Sequence, residues 1–138
     1  MGRRASRELA MKLLYQLEIQ KDDRELQMLN LFEENELTDK DKEYIKSIID
    51  GVSLNIEFID KTIEKNAKGW KLNRISKVDL SILRLGTYEI NFREDIPFTV
   101  SINEAVELAK KYSGDDAGAF INGVLGKVDK ITSNTDNE

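Results

Sequence analysis

Three arginines in the first seven residues, Arg3, Arg4 and Arg7, are the side chains best suited to chemistry in this 138-residue chain. A guanidinium is a planar fork that grips phosphate oxygens in pairs and stacks on flat rings. With Lys12, and against Glu8 alone, they put the first twelve residues at +3 and leave the other 126 at −8. On a helix, positions 3 and 7 adjoin across one turn and position 4 flanks them. The spacing therefore predicts one guanidinium cluster on an acidic body, a localised site for a polyanion. An ordinary basic terminus, frayed in solvent, fits the same spacing.

Two aromatic residues extend the candidate site. Phe120 follows Asp115, Asp116 and Gly118 in what reads as the first turn of the last helix. A ring there can stack a nucleobase while Asp116 accepts hydrogen bonds from a base edge. A core phenylalanine explains the same position more simply. Tyr15 faces the same choice: it lies off the Leu9–Leu13 stripe, two turns beyond Arg7 and on its side of the helix. Trp70 and Arg84 read as structural. Arg84 interrupts the apolar run Ile82-Leu83-Arg84-Leu85 and calls for a carboxylate partner such as Glu89 or Asp79.

Most catalytic chemistries lack their residues. There is no cysteine and no histidine, which removes thiolate nucleophiles, Cys-ligated metals, imidazole bases and the Ser-His-Asp triad. Neither common phosphate-cradling glycine motif occurs. Asp39, Asp41, Glu43 and Asp50 mimic a calcium loop, but Tyr44 stands where that loop needs glycine. The carboxylate pairs Asp115/Asp116 and Glu104/Glu107 are of a kind a hydrolase uses, yet they read as cap and surface charges. The expectation is a chain without enzymatic activity, cofactor or metal. At 40% hydrophobic and 34% charged residues it is globular, and its longest apolar run is three residues, far short of a membrane span. No apolar segment follows the basic start, so an intracellular chain is expected.

The elements that must position these residues follow a helical period almost throughout. Leu9, Leu13, Leu14 and Leu17 predict a helix over about 3–20, which Asp22-Asp23 breaks while capping the next. Leu26, Leu29 and Phe32 mark that short second helix. Thr38 and Asp41 resemble a capping box. Behind them Ile45, Ile49, Val52, Ile56, Ile59 and Ile63 predict one long helix, bent at Gly51. Gly69 reads as a C-cap and as the internal boundary. Val78, Ile82 and Leu85 give a helix over about 75–91, stopped by Asp95-Ile96-Pro97. Ser101 and Glu104 form a capping box for the next helix, 113–118 is a turn, and a last helix carries Phe120 to Val128. The expected fold is all-α: six or seven helices in two small bundles, about 3–67 and 70–131, packed as one domain with a polar tail at 132–138.

Taken in order, these segments resemble one family. The opening Arg3-Arg4-Ala5-Ser6-Arg7-Glu8-Leu9-Ala10 with Leu13-Leu14-Tyr15-Gln16 is similar to the NusB transcription antitermination factors. So are Trp70…Arg74-Ile75…Val78-Asp79…Ile82-Leu83-Arg84-Leu85 with Tyr88-Glu89, and Ile96-Pro97…Ile102-Asn103-Glu104-Ala105 through Phe120-Ile121-Asn122-Gly123. The resemblance implies an all-helical, non-catalytic protein. Such proteins bind boxA-type RNA with NusE, a ribosomal small-subunit protein, and support elongation by RNA polymerase, notably through ribosomal RNA operons. It implies RNA contacts at Arg3, Arg4, Arg7, Tyr15, Asp116 and Phe120, with Ser6 interrupting what is often a denser arginine run. It also implies a NusE surface that includes Asp79 and Asn103, and either a monomer or a homodimer. A related domain occurs fused to RNA cytosine methyltransferases; none follows Glu138, so the isolated factor is expected. The competing reading is a helical adaptor or homodimer whose arginines meet acidic protein surfaces.

Overall fold

A computed structural model describes residues 2–128, and among them every regular element is helical. The order is α1 (Arg3–Ile19), α2 (Arg24–Glu34), α3 (Asp39–Leu54), α4 (Ile56–Asn66), a 3₁₀ turn (Leu72–Arg74), α5 (Lys77–Phe92), α6 (Phe98–Tyr112) and α7 (Asp115–Leu125). The all-α reading holds, while the tail expected at 132–138 lies outside the described residues. Helix α5 is buried on nearly all sides, from Leu80 through Asn91, with Arg84 and Tyr88 the part-exposed positions. A helix apolar almost all round belongs in an interior. It touches α1, α3, α4, α6 and α7 and is the wall these helices share.

Several local expectations change for identifiable reasons. The predicted long helix over 45–63 is two, broken at Asn55 rather than bent at Gly51. The Asn55 side chain donates to the Gly51 carbonyl at 2.8 Å, and its backbone leaves the helical region (φ −111°, ψ 25°). An Asn side chain competing for a backbone carbonyl ends the turn, and α4 restarts with its isoleucines still facing inward. Gly51 has another use: a Cβ there would lie 2.2 Å from the Tyr88 ring, which stacks on Phe92. In α2, Leu26 and Leu29 are exposed and Met28 is the buried residue, so the apolar stripe is rotated from the expected one. Asp23 stands at its N-terminus in the left-handed region (φ 54°) without a side-chain cap bond. The Thr38–Asp41 box is present in both directions.

The expected Ser101–Glu104 box is not. Helix α6 starts one turn earlier, after Pro97, and the Ser101 N–H donates to the Pro97 carbonyl at 3.1 Å. Pro97 terminates the preceding loop with its fixed φ and so moves the start of the helix. Ser101 and Glu104 are thereby freed for tertiary contacts. Similarly, α7 begins at Asp115, so the expected turn over 113–118 shrinks to Ser113 and Gly114, and Phe120 falls in the second turn. Helix α4 ends at Asn66 with Ala67 as its C-cap, and Gly69 (φ 81°) lies in the turn beyond.

Gly51 and Gly123 make opposite predictions about one substitution. Alanine in a helix gains roughly 1 kcal/mol over glycine, but overpacking costs roughly 1–3 kcal/mol. Gly51→Ala should therefore destabilise the chain by about 1–2 kcal/mol in urea unfolding. Gly123→Ala, whose Cβ would meet nothing within 4 Å, should stabilise it by about 0.5–1 kcal/mol.

Candidate nucleic-acid interface

The N-terminal arginines are not one exposed cluster. Arg7 is 3% exposed, and its Nε donates to Glu89 Oε2 at 2.8 Å while Nη2 donates to Glu89 Oε1 at 3.3 Å. Glu89 has no exposure and accepts two further bonds, from the Tyr44 hydroxyl and from Ser101 Oγ at 2.9 Å. A carboxylate offers about four lone-pair sites. All are filled, by side chains of α1, α3 and α6 converging on α5. Burial works against the charge on Arg7, but Tyr44, Glu89 and Glu104 outweigh it and hold its pKa above the ordinary value. Burial, reinforced by Glu89, pushes the Tyr44 hydroxyl well above its ordinary range, so it stays a donor. The expectation of three solvent-facing guanidiniums fails because positions 3 and 4 face outward while position 7 turns into the protein.

Arg3 and Arg4 remain at the surface. Arg3 lies over the Tyr44 ring, 4.4 Å from its centroid, in the range of a cation–π contact. Arg4, 74% exposed, is held in two-pronged fashion by Glu104: Nε to Oε1 at 3.0 Å and Nη2 to Oε2 at 2.7 Å. That hydrogen bond lowers the Glu104 pKa, so Glu104 stays ionised. The three arginines, Glu104 and Asp95 edge one open depression of about 330 Å³, with Ile96, Pro97 and Val100 as its apolar part. Asp95 is brought down to about 2 by a hydrogen bond from Arg93.

From this depression a seam runs between α1 and α6 in the same chain sense. Arg4 meets Glu104; one turn on, Glu8 accepts from Lys111 at 2.8 Å and from the Tyr112 hydroxyl; one turn further, Lys12 lies 5.4 Å from the Tyr112 ring. Tyr15, exposed, continues the row 4, 8, 12, 15. At eight residues of 1.5 Å rise, Arg4 and Lys12 are about 12 Å apart along the helix. Neither Lys111 nor Tyr112 is among the site residues expected from the sequence. The spacing of Lys110-Lys111-Tyr112 at a helix end was the available signal.

The seam leads to Ser113 and Gly114, and α7 then presents the second group. Phe120 is half-buried and packs edge-on against Trp70, with ring centroids 5.9 Å apart. Trp70 is 50% exposed, contrary to its reading as structural. These rings line a depression of about 390 Å³ with Arg74, Asp79, Ser113 and the exposed Asp116. Asp79 Oδ1 is buried there without a hydrogen-bond partner among the described residues. Asn103 is exposed on α6, away from these rings in sequence and absent from the lining of either depression. Arg84 does find carboxylates, but they are Asp60 (Nε and Nη2, both 2.9 Å) and Glu18 (2.8 Å) rather than Glu89 or Asp79. Neither partner could be seen in the sequence, because both lie on other helices.

Comparison with known proteins places this arrangement. The NusB family model matches residues 4–130. The chain belongs to the NusB family. It is 66% identical over 131 residues to the transcription antitermination protein NusB of Acetivibrio thermocellus, covering 95% of this chain and 90% of that one. To the NusB of Clostridium novyi it is 54% identical, covering 94% and 99%. Among solved structures, T. maritima NusB superposes with a TM-score of 0.89 at 35% identity, covering 100% of this chain and 99% of the other. A complex of the antitermination factors NusB and NusE with dsRNA matches with a TM-score of 0.83 at 31% identity, covering 91% and 94%.

Substitutions on the Glu89 contacts should separate buried from exposed arginines. Arg7→Ala strands a buried carboxylate and should cost about 3–5 kcal/mol in urea unfolding. Ser101→Ala removes one of its four donors and should cost about 1–3 kcal/mol. Arg4→Ala should leave the unfolding midpoint nearly unchanged.

Proposed function

We propose that this chain is an RNA-binding transcription antitermination factor that takes boxA-type single-stranded RNA together with NusE. In this reading it acts in the cytoplasm on the elongating RNA polymerase complex and carries out no catalysis. The observation that carries the reading is the joining of two unlike surfaces by one seam. Arg3 and Arg4 stand at one end with exposed guanidiniums, and Trp70 and Phe120 stand at the other with part-exposed rings. Guanidiniums grip phosphates without reading sequence, whereas rings take unpaired bases by stacking. Stacking needs bases free of a duplex, which favours single-stranded RNA. Membership of a family whose solved relatives include a NusB–NusE–dsRNA complex supports RNA and NusE as ligands.

The roles divide as follows. Arg3 and Arg4 hold the phosphate backbone, Lys12 and Tyr15 continue the track, and Phe120 stacks a base beside the Asp116 carboxylate. Arg7 serves this site from behind, by fixing the first turns of α1 on Glu89. Asp79, part-exposed at the depression beneath Trp70, and Asn103, exposed on α6, offer polar contacts to NusE.

The test is binding of a boxA-type RNA and of a scrambled one across a salt series, with and without NusE. Each lost phosphate contact flattens the salt slope by roughly one. The double variant Arg3→Ala/Arg4→Ala should therefore lose about one unit of slope from Arg3 and up to about one more from Arg4, which Glu104 already holds, and should weaken both RNAs alike. Phe120→Ala should weaken boxA-type RNA by roughly 1–3 kcal/mol with its slope kept, and should leave NusE binding intact. An unchanged slope in the double variant, with NusE still bound, would instead favour the adaptor reading.

A further inference from the structure

We propose that Glu104 is an internal competitor for RNA phosphate: its carboxylate occupies the Arg4 fork in the free chain and must be displaced when RNA binds. The inference rests on the proposed RNA-binding function and adds a residue that tunes it. Both prongs of Arg4 are already used, by two oxygens at 3.0 and 2.7 Å, in the geometry a phosphate would require. Glu104 is itself only 17% exposed, and its Oε1 lies 3.6 Å from the buried Arg7 Nη1, so it is held against α1 while Arg4 is free to swing outward. The arrangement is unlike that of Arg7, whose carboxylate is sealed from solvent. It is an exchangeable pair at the mouth of an open depression.

The consequence is a threshold. A cation held by an internal anion releases fewer counterions when phosphate arrives, and its apparent affinity falls by the fraction of time it is occupied. That reduction applies to every RNA alike. Contacts at the aromatic end are untouched by it, so RNA that engages only the arginines is held weakly. A chain with −8 outside its first twelve residues already repels polyanions broadly. Glu104 adds a local device to that background, aimed at one guanidinium.

The experiment is a double-mutant cycle on RNA affinity, read with fluorescent boxA-type and scrambled single-stranded RNAs over a salt series. An exposed two-pronged ion pair of this kind corresponds to an equilibrium factor of up to about five. Glu104→Gln should therefore tighten both RNAs by roughly two- to fivefold and steepen the salt slope by up to about one. In the Arg4→Ala background the same substitution should gain nearly nothing. Glu107→Gln is the charge control: it removes an exposed carboxylate one turn along α6 from Glu104, one that influences Arg4 only through space. It should gain less than Glu104→Gln. Weaker binding by Glu104→Gln, with unfolding unchanged, would mean that Glu104 positions Arg4 for RNA and would overturn the inference. So would an equal gain in the Arg4→Ala background or from Glu107→Gln. Failure of the unmodified chain to bind either RNA, with or without NusE, would remove the parent reading instead, and the inference with it.

Discussion

The buried carboxylate of Glu89 constrains the rest of this structure. A charge removed from water is tolerated only when it is paired and its hydrogen-bonding capacity is filled. Glu89 meets that condition with one guanidinium and two hydroxyls drawn from three other helices. Any packing that moved α1, α3 or α6 away from α5 would leave a donor or an acceptor stranded. Apolar contacts supply most of the driving force, but they are non-directional and would accept small slides of one helix along another. The carboxylate does not. It fixes the axial position of α1 on α5, the Arg84 contact to Glu18 fixes the other end of the same crossing, and the Arg84 contact to Asp60 ties in α4.

That fixing is what turns a basic terminus into a surface. With Arg7 drawn inward, positions 3 and 4 are held at the rim, positions 8 and 12 follow along α6, and Tyr15 lies exposed beyond them. The polar contacts along this seam are exposed pairs, each weak alone. Their importance is directional: they set a row of cations and rings between the open depression at Pro97 and the one beneath Trp70. The two groups are unlike in chemistry, one electrostatic and the other flat and apolar. A ligand that is both charged and aromatic along its length matches both, and single-stranded RNA is such a ligand.

Much of the fold was legible in the sequence because helical periodicity is a local signal. The first helix, the Thr38 box, the stop at Asp95-Ile96-Pro97 and the absence of strands among the described residues all follow from spacing. What could not be read depended on partners distant in the chain. Asn55 looks no different from other polar residues until its amide is seen on the Gly51 carbonyl. Ser101 and Glu104 had the spacing of a cap, and only Pro97 taking the helix start reassigned them to Glu89 and Arg4. The site followed the same rule. Arg3, Arg4, Asp116 and Tyr15 lie at the surface as their positions suggested, but Arg7 is inside, because nothing local distinguishes an arginine facing solvent from one facing a carboxylate 82 residues away. One signal was available: Glu89 within the apolar run of α5 required a cation, and it was offered to Arg84 instead.

The division between a buried Arg7 and exposed Arg3 and Arg4 is the central claim, and arginine side-chain NMR tests it directly. Nε–Hε correlations would be recorded for the free chain and after saturation with boxA-type RNA, together with their exchange rates with water. The account predicts that the Arg7 Hε is protected from exchange and keeps its shift on RNA addition, while those of Arg3 and Arg4 exchange quickly in the free chain and move when RNA binds. A fast-exchanging Arg7 Hε that shifts with RNA, beside unmoved signals from Arg3 and Arg4, would contradict it.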